Sequence, residues 1–462
     1  MDGEARSRLI PDLTVDGAVI TAAAGTAAVL GAVAVYSPKA AVAVLLGGAF
    51  VVLAVSRLPL AVAVFVLLTF PEHLPGSLGS GATLAKPVGA LIVVAWAGAV
   101  LTRGGALPLL PRSRPLLFSA ICGLLLFGGV STLWAADSGE TRYALGRFLL
   151  VAVLLLVAYT AASTPAGFRT IVAGYLVASV FTSLYSTASG TYIATGRLAG
   201  LFDPNYFAAE LIPAILIALF LFLTAEATAI RWLAAVVAGV DLVAFVLTQS
   251  RGGIVGLAVA LPAAVVFAGR ARPRVLALVL VVVALGLGYY FAFKPAHVFE
   301  TGTSGGLTAT SSGRIDEWRV ALRVFKGHPV GGVGLGNYQV VEPSYATQTL
   351  NLNVVRYIVK FRQAAHNTYL QVAAELGLVG LFLFLTILVL PLRLAARALA
   401  RIDRSLGELE FQARGLLAGA IGMLTAYFFL SAEFEKQLWL VLALLATVPA
   451  LLRHESAEPE RL

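Results

Sequence analysis

The chain is a succession of apolar runs, most of them close to 20 residues long, broken by short polar segments over nearly all of its 462 residues. A helix of about 20 apolar residues crosses a hydrocarbon core. The pattern therefore predicts an all-α fold, a polytopic transmembrane helix bundle of about 12–14 spans. The expected spans lie at roughly 18–36, 40–55, 59–71, 86–101, 115–134, 141–161, 167–187, 205–224, 230–248, 252–269, 274–293, 367–392, 413–432 and 437–452. The third and the last are short, which gives the count its range, and no internal repeat is evident.

The pattern is interrupted once. Residues 294–366 form a connection far longer than the usual link between helices, and such loops are as a rule functional or disordered. After a Gly/Ser/Thr stretch from Thr301 to Gly313, the residues Ile315, Trp318, Leu322 and Phe325 recur at helical spacing. That spacing predicts an amphipathic helix near 314–326, lying on the membrane or packed on the bundle. Asp316 and Glu317 suit its first turn, and Gly327-His328-Pro329 is a stop signal. Three parts result: an N-terminal bundle over 1–293 with about 11 spans, an extracytoplasmic loop over 294–366, and C-terminal helices with a cytoplasmic tail over 367–462. The run GGVGLGNY at 331–338 lacks the strand-then-helix context of a dinucleotide fingerprint and reads as a tight loop.

Composition narrows the class. With 59% hydrophobic and 12% charged residues, the surface of a soluble domain of this length would lack polar cover. The net charge of +9 raises nucleic acid as a partner, but the arginines occupy alternate connections. Arg57, Arg103, Arg112, Arg114, Arg169, Arg231, Arg270, Arg272, Arg274, Arg393, Arg397, Arg401, Arg404, Arg414 and Arg453 all fall on one side of the expected topology. Positive charge in short loops marks the cytoplasmic side. The charge thus predicts a multi-pass protein of the cytoplasmic (inner) membrane with both termini inside, the long loop outside and no nucleic acid. The start of the chain shows no signal-peptide cleavage pattern. Cys122, the single cysteine, sits in an apolar run, which excludes a disulfide framework and a thiolate metal site.

Ionisable residues inside spans are costly and by default functional hypotheses. Arg147, Glu210, Asp241 and Glu375 fall within expected spans, each in the outer half. Mutual pairing that orients helices is one reading, and a polar cavity open to the outside is the other. Arg197 in GRLAGLFDPN, Arg251 in QSRGG and Arg314 in GRIDEW stand at external turns. A lone arginine there would snorkel to headgroups, whereas converging guanidinium forks would suit a diphosphate. His366 stands where the long loop re-enters the membrane and offers a general base. His73, His297 and His328 have no ligand-spaced neighbours, so neither a metal nor another cofactor is expected.

The segments RLAGLFDPNYFAAEL, TQSRGGIVGL, GRIDEWRVALRVFKGHPVGGVGLGNY and HNTYLQVAAELGLVGLFLF, in that order, resemble the O-antigen ligase and polymerase family of integral-membrane glycosyltransferases. The resemblance covers roughly 190–390. It implies a metal-independent, inverting transfer from a polyprenyl-diphosphate-linked glycan donor to a glycan or lipid acceptor, in contact with membrane lipids. Carried over, it gives Arg197, Arg251 and Arg314 the donor diphosphate and His366 the acceptor proton. Asp203, Asn205, Asn367, Arg147, Glu210, Asp241, Asp316, Glu317 and Glu375 are supporting candidates. The acceptor stays open, since ligases and polymerases share this chemistry. Two rivals are a flippase of lipid-linked glycans, which should show paired half-repeats, and a shape-and-division-type peptidoglycan polymerase, for which Asp316 or Glu317 would supply a catalytic carboxylate.

Overall fold

A computed structural model of the chain describes residues 37–70, 85–103, 107–190, 192, 196–198, 203–293, 314–347, 364–402 and 406–457. The principal helices are α1 (Pro38–Ser56), α2 (Leu58–Thr69), α3 (Ala85–Arg103), α4 (Pro115–Val130), α5 (Ser138–Ala161), α6 (Pro165–Ser189), α7 (Pro204–Thr224) and α8 (Thr228–Thr248). They continue as α9 (Arg251–Phe267), α10 (Arg272–Phe293), α11 (Arg314–Gly327), α12 (Tyr338–Ala346), α13 (Thr368–Ala400), α14 (Gly407–Ala426) and α15 (Lys436–Ala457). Every expected span from 40–55 onward has its helix, while the first, at 18–36, lies outside the described residues. Among the described residues 9 helices are long and apolar enough to cross a membrane, accompanied by shorter apolar helices at Val44–Ser56, Leu58–Thr69 and Arg251–Phe267. The protein is a polytopic all-α bundle.

α7 is the axis. It is apolar all round, so it must be buried all round, and every residue from Phe207 to Leu221 is enclosed, chiefly by α8, α9 and α14. α14 approaches through small residues: a Cβ on Gly419 would stand 2.5 Å from the Pro213 Cα of α7. Close backbone approach of this kind is how membrane helices gain packing without a hydrophobic drive between them.

The two ends of the bundle are finished differently. At the arginine-rich end Arg414 is buried and ion-paired at 2.8 Å with the enclosed Glu410, which Arg270 also meets at 3.3 Å. Arg414 further donates to the carbonyls of Phe267 and Leu399, the last turns of α9 and α13. Deleting one partner of a buried pair strands the other charge, at a cost of about 3–5 kcal/mol. Glu410→Ala is therefore expected to lower the unfolding temperature sharply in a detergent thermal melt, and a melt within a degree of wild type would remove Arg414 as the clamp of that end.

At the opposite end, here the loop end, several helices open on side-chain caps that the sequence provides. Asp137 caps α5 (Gly139 N at 2.7 Å), Asp203 caps α7 (Asn205 N at 2.7 Å), Ser250 caps α9 (Gly253 N at 3.1 Å) and Asn367 caps α13 (Tyr369 N at 3.0 Å). A capping oxygen satisfies amides that have no partner within the helix. The 331–338 run is a tight loop, as its glycines predict, and it is pinned by Asn337, whose Oδ1 accepts from Asp137 N at 2.7 Å.

One feature of this end is not in the sequence pattern: α13 is broken at Gly377 (φ 62°, ψ −161°). The amides of Val333 and Gly334 donate to the carbonyls of Ala374 and Glu375 at 3.0 and 2.9 Å, and Leu378 N donates to the Pro329 carbonyl at 2.8 Å. The glycine loop thus takes over hydrogen bonds that the broken helix gives up. A Cβ at Gly377 would meet the Val330 carbonyl oxygen at 2.2 Å, so the residue is required both for its left-handed backbone and for the close approach.

α11 forms where its spacing predicts and ends at Gly327, but the face that packs is not the apolar row. Asp316, Glu317, Val320, Ala321 and Val324 are buried, whereas Leu322 is 40% exposed. Trp318, from the expected row, lies edgewise to the bundle with its ring 5.9 Å from that of Phe429. The inward face can carry two carboxylates because each has a cation at hand: Arg319 bonds Asp316 at 2.9 Å, and Arg314 lies beside Glu317.

Candidate functional site

The starts of α7, α9, α11 and α13 meet at the loop end, and the residues singled out there are mutual neighbours. Arg197 Nε donates to the Thr248 carbonyl at 2.9 Å and its Nη2 to Asn205 Oδ1 at 2.9 Å. Ser250 Oγ donates to the same Asn205 oxygen at 2.9 Å. Arg197 is thereby tied to the turn that carries Arg251, the first residue of α9. Gln249, in that turn, has φ 48°, and His366 has φ 44°; among the described residues these are the non-glycine positions with positive φ. Such backbone costs of order 1–3 kcal/mol and persists where the surroundings impose it.

The charges at this end act on one another. Burial holds the Arg197 guanidinium below its ordinary range, and Arg314 and Arg251 add to the effect while Asp203 opposes it. Arg314 is lowered in the same way by burial and by Arg251, against Glu317 and Asp203. His366 is lowered by burial and by the Arg314 charge, with Asp203 again opposing. Arg197, Arg251, Arg314, Asp203 and His366 are therefore within electrostatic reach of one another. Three cations, partly compensated by Asp203 and Glu317, with the α7, α9 and α13 N-terminal dipoles behind them, make a site for an anion.

His366 sits just before the capping Asn367, and its carbonyl accepts from Trp318 Nε1 at 3.4 Å. The preceding amide, of Ala365, donates to Gln371 Oε1 at 3.2 Å, and Ser431 Oγ donates to that oxygen at 2.6 Å. Gln371 Nε2 turns to Glu375 at 3.3 Å and Glu433 at 3.4 Å. Glu375 Oε2 also accepts from Gly336 N at 2.7 Å. Burial pushes the Glu433 carboxyl up to about 7. Gln371 and Glu433 are site-supporting residues that sequence reading passed over. The signal for them was thin: a glutamine one turn into a span, and one glutamate in a short turn.

Of the four ionisable residues of the spans, Glu210, Asp241 and Glu375 are buried. Asp241 is enclosed and accepts from Ser179 at 2.7 Å and Ser183 at 2.8 Å. It joins α8 to α6. Glu210 is buried where its own carbonyl accepts from Tyr175 at 2.8 Å. Glu375 belongs to the Gln371 network, and only Arg147 is exposed. Asp241 is held by two hydroxyls, and Glu375 by the Gly336 amide and Gln371, as buried carboxyl groups require. Asp316 is spent on Arg319, while burial pushes Glu317 up to about 7. His328 lies against the Tyr345 hydroxyl at 3.1 Å, at the end of α11. His73 and His297 lie outside the described residues. Among the described residues no group of three His, Cys, Asp or Glu side chains is arranged to hold a metal ion.

Comparison with curated proteins returns no match to the chain. Residues 233–385 match the family model described as O-Antigen ligase. That segment begins in α8 and ends in α13, so it takes in Arg251, Arg314, His366 and Glu375 and leaves Arg197 and Arg147 outside. Over that segment, which lies in a bundle of apolar helices whose loop end gathers three arginines and a histidine, the chain is similar to the O-antigen ligase family.

Proposed function

We propose that the protein is a glycosyltransferase that moves a glycan from a polyprenyl-diphosphate donor to an acceptor hydroxyl. On this reading it works at the outer face of the cytoplasmic membrane with both termini inside. The 1–293 and 367–462 parts supply the bundle, and the 294–366 loop contributes Arg314 and His366. The observation that supports it is that Arg197, tied by hydrogen bonds to the turn before Arg251, acts together with Arg251 and Arg314, and Arg314 in turn on His366.

The step follows from the residues. Arg197, Arg251 and Arg314 bind the diphosphate, whose negative charge grows as the bond from the anomeric carbon to the phosphate oxygen breaks. Donors fixed where charge develops stabilise the transition state without reorganising. The acceptor oxygen attacks the anomeric carbon from the opposite face, so configuration inverts. Its proton passes to His366, and the diphosphate departs with the bonding pair. His366 is suited to this because burial and Arg314 keep it neutral at pH 7. No metal is needed where three guanidinium groups neutralise the leaving group, so EDTA is expected to leave transfer by the purified protein unchanged.

A second reading gives the proton to Glu317, which stands beside Arg314 with a carboxyl pushed up to about 7. The pH–rate profile separates the two. A histidine lowered from 6.5 remains in its basic form through neutrality, so the rate stays level from pH 8 to 7 and its half-point lies below 6.5. A Glu317 base would lose its charge as the pH drops through about 7, halving the rate there. The level profile, with activity retained in Glu317→Gln, is the expected result.

A further inference from the structure

The backbone around His366 is held on both sides. Ahead of it, the Ala365 amide donates to Gln371 Oε1 at 3.2 Å. Behind it, the His366 carbonyl accepts from Trp318 Nε1 at 3.4 Å, and Asn367 Oδ1 accepts from the Tyr369 and Leu370 amides at 3.0 Å each. His366 itself has φ 44°, which a residue with a Cβ adopts only where its surroundings impose it. The Asn367 bonds are a helix cap and fix Asn367, not the residue before it. The Gln371 bond is different, because it reaches across the turn and holds the peptide that leads into the left-handed residue.

Gln371 is itself locked. A carboxamide offers two acceptor lone pairs and two N–H donors, and in Gln371 all four are taken. Oε1 also accepts from Ser431 Oγ at 2.6 Å, while Nε2 donates to Glu375 Oε1 at 3.3 Å and to Glu433 Oε1 at 3.4 Å. Gln371 is 8% exposed, so water competes little for these bonds. Its partners set its orientation, since the Ala365 amide can only donate and must face the oxygen, which leaves the NH₂ to the two carboxyl groups. Glu375 is anchored in turn by the Gly336 amide at 2.7 Å. Glu433 sits in the turn between α14 and α15, where its carbonyl accepts from Trp439 Nε1 at 2.9 Å. The carboxamide therefore ties the His366 turn to the glycine loop and to the α14–α15 turn at once. A glutamate in its place could not donate, and would add a third carboxyl to Glu375 and Glu433. A leucine would leave the buried Ala365 N–H without a partner.

We propose that Gln371 is a positioning residue for transfer, whose carboxamide fixes the turn from which the His366 imidazole meets the acceptor hydroxyl. The proposal rests on the reading of His366 as the base and deepens it. Gln371 acts through the Ala365 peptide rather than on the reacting atoms. A base contributes only from within hydrogen-bond reach of the proton it takes, and a displacement of about 1 Å costs up to about 100-fold in rate. Without the Gln371 bond the Ala365 peptide rotates, the left-handed φ relaxes, and the imidazole moves away from its working position towards water.

The test uses full-length protein in phosphatidylcholine nanodiscs. Transfer is measured with the lipid-linked saccharide fraction extracted from the source cells, and binding with polyprenyl diphosphate. The histidines, labelled at their ring nitrogens, are titrated by NMR, with His366 assigned by its absence from His366→Ala. Gln371→Met, close in volume but without the amide, is expected to lower kcat by about tenfold to a hundredfold and to leave donor KM and polyprenyl-diphosphate affinity unchanged. The His366 titration should move with it. Burial and Arg314 lower that group and Asp203 opposes them, so an imidazole released to water rises toward 6.5 and the acid limb of the rate follows it upward. A loss of kcat with the His366 titration unmoved, or with binding lost in proportion, gives Gln371 a purely structural role and overturns the proposal. A wild-type kcat in Gln371→Met, with His366→Ala inactive, also overturns it and leaves the base assignment standing. Full transfer by His366→Ala removes the base reading, and the positioning role with it. Ser431→Ala decides the matter if Gln371→Met does not fold. It takes one bond from the same oxygen and should lower kcat by about threefold to tenfold, with a smaller upward shift of His366. Wild-type kcat and titration in Ser431→Ala would then overturn the proposal.

Discussion

Alanine at His366 is expected to abolish glycan transfer while leaving polyprenyl-diphosphate binding nearly unchanged. A positioned general base contributes about 10²–10⁴ in rate, and His366, lowered by burial and by Arg314, is neutral at pH 7 and can accept a proton. Its left-handed backbone complicates the experiment usefully. At φ 44° a residue with a Cβ is strained, so alanine removes the imidazole and keeps the strain, whereas glycine removes both. If the imidazole does the chemistry, His366→Ala and His366→Gly fail alike, with kcat down and the donor KM steady. If His366 served only to shape the turn, His366→Gly would be active, and the assignment of the base would pass to Glu317. Asn367→Ala is the companion case: it deletes the α13 cap at 3.0 Å and should impair both kcat and stability moderately.

How much of this was open to reading in the sequence depends on the distance over which each feature is determined. The spans are local: about 20 apolar residues suffice to predict a helix, and Asp137, Asp203, Ser250 and Asn367 mark its start within one turn. The convergence of Arg197, Arg251 and Arg314 is not local, and four ordered motifs pointed to it only through a family resemblance. Which face of α11 packs was not legible, because the row Ile315, Trp318, Leu322 and Phe325 is the more hydrophobic one and in water would be the inner one. Beside a membrane an apolar face can point outward, and the inner face is then free to carry Asp316 and Glu317 beside their arginines. The break at Gly377 was hidden for a different reason. Glycine is ordinary in membrane helices, and only the approach of the 329–336 loop, brought back from far along the chain, makes this one a hinge of the backbone.

The arginines are expected to respond unequally, and the order tests the site more sharply than any single loss. Arg197 already spends two donors on Thr248 and Asn205, so Arg197→Lys should disturb the turn before α9 as well as the ligand, lowering thermal stability together with donor affinity. Arg314 and Arg251 open α11 and α9, and at the proposed diphosphate site the planar fork itself is needed, because a lysine supplies a point charge without bidentate geometry. Arg251→Ala should reduce kcat/KM for the donor by about 10²–10³, the usual consequence of losing one donor that stabilises developing negative charge. Arg251→Lys should recover only part of that, and neither variant should shift the melting temperature as Arg197→Lys does. Arg314→Ala has a second effect of the opposite sign on its neighbours. Removing its charge relieves His366 of a repulsion and deprives Glu317 of a partner, so the acid limb of the residual activity should move upward in pH. That shift, read on whatever rate remains, would link Arg314 electrostatically to the working base. An unmoved acid limb would instead mean that the histidine facing Arg314 does not take the proton.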